Sequence, residues 1–89
     1  LYGMGDPIDS VHRLMSRVRQ VHVKDAVPAP TPGMWGQETP AGEGSVDWTT
    51  FLRIVHQAAG LAARPINLMI EREGGESRVE DVRKAAALL

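Results

Sequence analysis

No cysteine occurs among the 89 residues, which excludes a disulfide scaffold and thiolate metal sites and fits a reducing, cytoplasmic compartment. Long apolar runs are missing as well: none approaches the roughly 20 residues of a membrane span, and no stretch resembles a secretory signal. Charge of one sign is equally scarce. The formal net charge is −1 with both signs interspersed, so there is no basic footprint for nucleic acid or for anionic lipid. Position 1 holds Leu1 rather than Met, and the natural N-terminus is expected upstream of it. What is present is a 43% hydrophobic share, the composition of one globular segment and not of a disordered tail. The expected partner is a small molecule or another protein, with no nucleic acid and no membrane.

Pattern along the chain alternates helix and strand. Asp6-Pro7 opens a helix, because Asp caps free N–H groups and Pro suits the first helical position; Ile8, Val11, Leu14, Met15 and Val18 then recur at helical spacing, giving a helix over 7–18. "QVHVKDA" follows as a strand at about 20–24, with Gln20, His22 and Lys24 in one row and Val21 and Val23 in the other. Between Ala26 and Val46 the prolines and glycines predict neither helix nor ladder, and a loop that long is often functional. Asp47 caps the next helix, with Trp48, Phe51, Leu52, Val55 and Ala59 on one side and Gly60 as its end. "PINLMIE", residues 65–71, reads as a second strand with Ile66, Leu68 and Ile70 on one face and Asn67, Met69 and Glu71 on the other. Ser77 and Glu80 have capping-box spacing, and Val79, Val82, Ala86 and Leu89 are expected to form the inner stripe of the last helix.

The order is therefore helix, strand, loop, helix, strand, helix. Two strands joined through a helix are parallel, and parallel strands belong in sheets covered on both faces. A pair alone leaves open edges, and a chain this short buries only about 60% of its unfolded surface. The fold class expected is α/β, as part of a (β/α)8 barrel, with the Gln20/His22/Lys24 and Asn67/Met69/Glu71 rows facing the barrel interior and His22 and Glu71 near the carboxyl ends of neighbouring strands.

Read together, "LYGMGDP", "VHVKDA", "WGQETPAGEGSVDW" and "IEREGG" resemble the C-terminal part of the sugar phosphate isomerase/epimerase group of the xylose isomerase-like TIM barrels. The likeness covers nearly the whole of residues 1–89, and implies the end of a sixth βα unit through an eighth, with the N-terminal part of the barrel missing. It implies a divalent ion (Mn, Mg, Co or Zn) held by Glu, Asp, His and Glu, of which His22 and Glu71 stand in this chain and the other two upstream. Imidazole and carboxylate suit such ions. The implied function is a sugar isomerase or epimerase that abstracts a proton next to a carbonyl through an enediolate. Glu71 would act as ligand and acid/base group, Lys24 would stabilise the enolate, and Trp35, Glu38 and Arg72 would contact the sugar. Two ligands do not complete a site, so the fragment alone is expected to be inactive, and a homo-oligomer is left open.

Plainer readings stand beside these. By strand spacing alone His22 is a core histidine satisfied by a hydrogen bond, and Lys24 an ion-pair partner of Asp25 or Glu73. The "GEG" of residues 42–44 is turn chemistry, His12 and His56 are solvated surface, and Trp48 is core, while Trp35 in the long loop is either a packed lid or a stacking platform. An endonuclease IV type of barrel places Asp-x-His ahead of the GEG, where this chain has Gly36-Gln37-Glu38, so a nuclease is disfavoured. A dehydratase or lyase acting on a keto-cyclitol or related acid shares the same motifs, and a non-catalytic piece that completes its barrel with another chain is the third reading.

Overall fold

The computed structural model describes residues 4–89; Leu1, Tyr2 and Gly3, which open the LYGMGDP motif, lie outside the described residues. Helix α1 (Pro7–Leu14) starts as expected, with the Asp6 carboxylate accepting from Asp9 N at 2.9 Å and Pro7 in the first turn. It stops short of residue 18. Met15–Arg17 tighten into a 3-10 turn, closed by Val18 N–H to the Met15 carbonyl, because the chain must be extended by Val18 to enter the sheet.

Strand β1 (Gln20–Val23) pairs in parallel with β4 (Asn67–Ile70), Gln20 opposite Asn67 and Val23 opposite Ile70. Helix α2 (Trp48–Ala62) joins them, and α3 (Arg78–Leu88) follows β4. Helices α1 and α2 cover one face of the sheet. Val11, Met15, Ile54 and Val55 form the buried cluster, with Val21 and Leu68 from the strands packed against it, together with Ile8, Val18, Phe51, Ala58 and Ile66. On the other face Gln20, His22, Asn67 and Met69 are exposed, which is the row that a closed barrel would enclose. This is an α/β arrangement in which the parallel β1–β4 pair is covered on one face by helices, as in a segment of a (β/α) barrel.

Four local expectations are corrected. The Pro/Gly stretch does hold a ladder: β2 (Asp25–Val27) and β3 (Gln37–Thr39) pair antiparallel, and they succeed because the paired residues are neither Pro nor Gly and the breakers fall between and after them. Gly60 does not end α2, which runs on to Ala62. Its stop is Ala63, left-handed at φ 50°, whose N–H reaches the Ala59 and Gly60 carbonyls. Ser77 caps α3 in position only: its backbone (φ −100°, ψ 31°) is not extended and its hydroxyl makes no capping bond. Finally, Val79 is 68% exposed, and Val82 and Ala86 also face outward, while Asp81 and Ala85 are buried. The Arg72 guanidinium draws Asp81 inward at 2.9 Å, and that contact sets the rotation of α3.

Candidate functional site

The pleat of β1, continued one residue past Val23, puts Lys24 on the same side as His22, and the parallel register, continued past Ile70, brings Glu71 beside them. Glu71 N–H extends the ladder to the Val23 carbonyl at 3.0 Å, fixing its backbone. Its carboxylate then bridges the two strands: Oε1 accepts from Lys24 Nζ at 2.9 Å, and Oε2 lies 3.2 Å from His22 Nδ1. The Gln20 side-chain amide nitrogen is 2.8 Å from His22 Nε2. An amide nitrogen only donates, so Nε2 accepts and the ring proton sits on Nδ1, donated to Glu71.

Charge in this cluster is dense. Lys24 also lies 3.2 Å from Glu73 Oε1 and 4.0 Å from Glu38 Oε1, so its ion-pair partners are glutamates and not Asp25. The hydrogen bond from Lys24, then that from His22, holds the Glu71 carboxyl down at about 2. The hydrogen bond to Glu71 raises Lys24, outweighing partial burial that pulls the other way. Glu71 is thus anionic and Lys24 cationic throughout the physiological range. Among the described residues, no group of three or more His, Cys, Asp or Glu side chains is placed to hold a metal ion. His22 and Glu71 meet as a pair on the rim of the exposed face.

The residues expected on the sugar are placed differently from one another. Trp35 lies in the loop between β2 and β3 and is 60% exposed. Glu38 and Arg72 face each other instead: Glu38 Oε1 accepts from Glu73 N at 3.0 Å, and Oε2 accepts from Gly74 N at 2.7 Å and from Arg72 Nη1 at 3.1 Å. Arg72 Nε is donated to Asp81. Burial pushes the Glu38 carboxyl up, but the Glu73 and Gly74 amides and the Lys24 and Arg72 charges outweigh it, and the net shift is downward.

Sequence reasoning missed Asp25, the residue that fixes the loop above the site. Its buried carboxylate accepts from five donors: Ala26 N (2.9 Å) and Val46 N (3.2 Å) on Oδ1, and Gly42 N (2.9 Å), Gly44 N (3.1 Å) and Trp48 Nε1 (2.8 Å) on Oδ2. Burial alone would raise its pKa; the Trp48 indole and the backbone amides overcome that and lower it. The GEG turn is structural, as expected, and for a specific reason. A Cβ on Gly44 would run into the Asp25 carboxylate and stand 2.7 Å from Ala26 N. Trp48 is core and packs edge-on against Phe51, with ring centroids 5.6 Å apart, while His12 and His56 are solvated. The signal for Asp25 was there in the sequence: an acid directly after the first strand, followed by a glycine-rich stretch. A cleft of about 560 Å3 runs beside Lys24 and Asp25 and is lined further by Met4, Asp6 and Ser45.

No protein-family model matches the chain. No curated protein matches it either. Among solved structures it is similar to the crystal structure of a xylose isomerase domain protein from Planctomyces limnophilus, with a TM-score of 0.82 and 35% identity. That alignment takes in 99% of this chain but 32% of the other, so the chain spans about a third of the length of that relative. No helix among the described residues is long and apolar enough to cross a membrane.

Proposed function

Since this chain is a partial xylose isomerase-like TIM barrel, we propose that the protein carrying it is a divalent-metal-dependent sugar isomerase or epimerase that removes a proton next to a carbonyl through an enediolate. The observation that supports this reading most is the meeting of His22 Nδ1 and Glu71 Oε2, 3.2 Å apart, at the carboxyl ends of paired parallel strands. Those are ends at which barrels of this architecture do chemistry. An imidazole nitrogen and a carboxylate oxygen are suitable donors for Mn, Mg, Co or Zn, and His22 and Glu71 would hold the ion with further ligands from outside this segment. The ion, when bound, supplies a Lewis acid that polarises the substrate carbonyl.

The chain's own residues divide the remaining work. Lys24, kept cationic by Glu71 and Glu73, places a positive charge where an enediolate oxygen develops negative charge. Glu71, held at about 2, is a persistent anion and therefore a good ligand, but a weak base while Lys24 occupies Oε1. Its service as proton acceptor requires the Lys24 ammonium to swing from Oε1 toward the substrate oxygen, which raises the basicity of Glu71 at the moment it is needed. Trp35 offers an exposed aromatic face for the apolar side of a sugar ring.

The test is solvent exchange. Incubation of the full protein with Mn2+ and a panel of ketoses and keto-sugars in D2O should yield isomers carrying deuterium at the carbon beside the carbonyl. A product lighter by one water would assign dehydration instead. An absence of deuterium in every recovered sugar would refute proton abstraction.

A further inference from the structure

Strand β3, which closes the long loop after β2, is tied to the turn after β4, and the tie is charged and largely buried. Glu38 lies on β3, Arg72 directly follows Glu71, and Asp81 lies on α3; their side chains are 13%, 10% and 8% exposed. One guanidinium bonds both carboxylates, with Nη1 on Glu38 and Nε on Asp81, a two-sided grip that an ammonium does not reproduce. Both Glu38 oxygens meanwhile accept the Glu73 and Gly74 amides. Ion pairs on the open surface, such as Arg83 with Glu80 (73% and 58% exposed), are worth little, whereas removing one member of a buried set strands the others.

We propose that Glu38, Arg72 and Asp81 form a clasp in which Asp81 orients Arg72, Arg72 orients Glu38, and Glu38 fixes the loop that carries Trp35 against the turn after β4. Glu38 and Arg72 are then positioning residues. The consequence is a coupling across the fold: the loop's placement depends on a residue of α3 whose hydrogen-bond partner is Arg72 and not the loop. This goes beyond the isomerase reading and does not depend on it, because no readout below involves metal or substrate.

The experiment compares Glu38→Gln, Asp81→Asn and the surface control Glu80→Gln in the full protein, with both tryptophans replaced by 5-fluorotryptophan. Amide exchange is followed at Glu73, Gly74 and the β3 residues Gln37–Thr39, and fluorine resonances at Trp35 and Trp48. Glu38→Gln turns one acceptor into a donor facing Arg72 or an amide, so exchange at Glu73 and Gly74 should rise about tenfold or more, the effect of losing a hydrogen bond to a charged acceptor. Asp81→Asn should raise exchange at the same amides and shift the Trp35 resonance in the same direction. Trp48, anchored to Asp25, should stay in place in both, and Glu80→Gln should match the parent. The clasp is refuted if Asp81→Asn leaves Trp35 and the β3 amides unchanged, or if Trp48 moves together with Trp35, which would mark a general loosening. Should Glu38→Gln fail to fold, Asp81→Asn and Arg72→Lys decide the matter by the same two readouts.

Discussion

Replacing Asp25 by Asn changes one oxygen into an amino group and should be among the most damaging single-atom changes available to this fold. The carboxylate accepts from five donors, with two on Oδ1 and three on Oδ2. However the amide is turned, at least the Ala26 and Val46 donors, or the three on the other side, face an NH2 that cannot accept. A donor left without its acceptor in such a site costs about 1–3 kcal/mol, so two of them predict a loss of roughly 2–6 kcal/mol, a large share of a typical total of about 5–15. Asp47→Asn provides the control. It is the same chemical change at an exposed helix cap, where Asn serves as well as Asp, and should leave the unfolding midpoint at that of the parent. Urea unfolding of both variants in the full protein, followed by tryptophan fluorescence, separates them. Acid should weaken the fold through the same group: the Asp25 carboxyl lies below its ordinary value in the fold, so its stabilisation is present above about pH 4 and is lost as pH falls through the folded-state value. The Asn variant should lack that acid limb. If Asp25→Asn melts together with Asp47→Asn, the carboxylate is not what holds residues 42–48 in place.

Gly60→Ala should stabilise the protein by about 1 kcal/mol in the same urea assay, because Gly60 is in the helix interior and a Cβ there meets open space; a loss would mean that the glycine terminates the helix after all. Ala63→Gly should also stabilise, by about 0.5–1 kcal/mol, through relief of the left-handed φ of 50°, and a neutral result would remove Ala63 as the stop. Gly44→Ala should be destabilising, since the new methyl displaces the Asp25 carboxylate, and chemical shifts of the Gly42, Gly44 and Val46 amides should move with it. Lys24→Met should let the Glu71 carboxyl rise from about 2 toward its ordinary 4.5, as read by carboxyl carbon NMR across an acid titration; no rise would show that Lys24 is not the main cause of the depression.

Period and punctuation carried most of the fold. Asp6-Pro7 and Asp47 each name a helix start through a chemistry that needs no tertiary partner, and the alternation in QVHV and NLMI set both the strands and their faces. The meeting of His22, Lys24 and Glu71 follows from those faces once the strands are parallel. What was not legible depended on partners distant in sequence. Asp81 turns inward only because Arg72 waits there, so a stripe of Val79 and Val82 that looks like a core face points to solvent. Gly60 looks like a stop until the chain finds a better one in Ala63, and Asp25 gains its role from amides 17 to 21 residues further on. Glu38 and Arg72 were expected on the sugar and are found bonded to each other; from sequence a side chain on a sugar and a side chain on another side chain look the same.

The proposed function requires that His22 and Glu71 grip one cation. Crystals of the full protein grown with Mn2+ and measured at the manganese absorption edge test that most directly. One anomalous peak bonded to a ring nitrogen of His22 and a carboxylate oxygen of Glu71 is the predicted result. A peak that avoids both residues, with the imidazole still donating to the carboxylate, would contradict it.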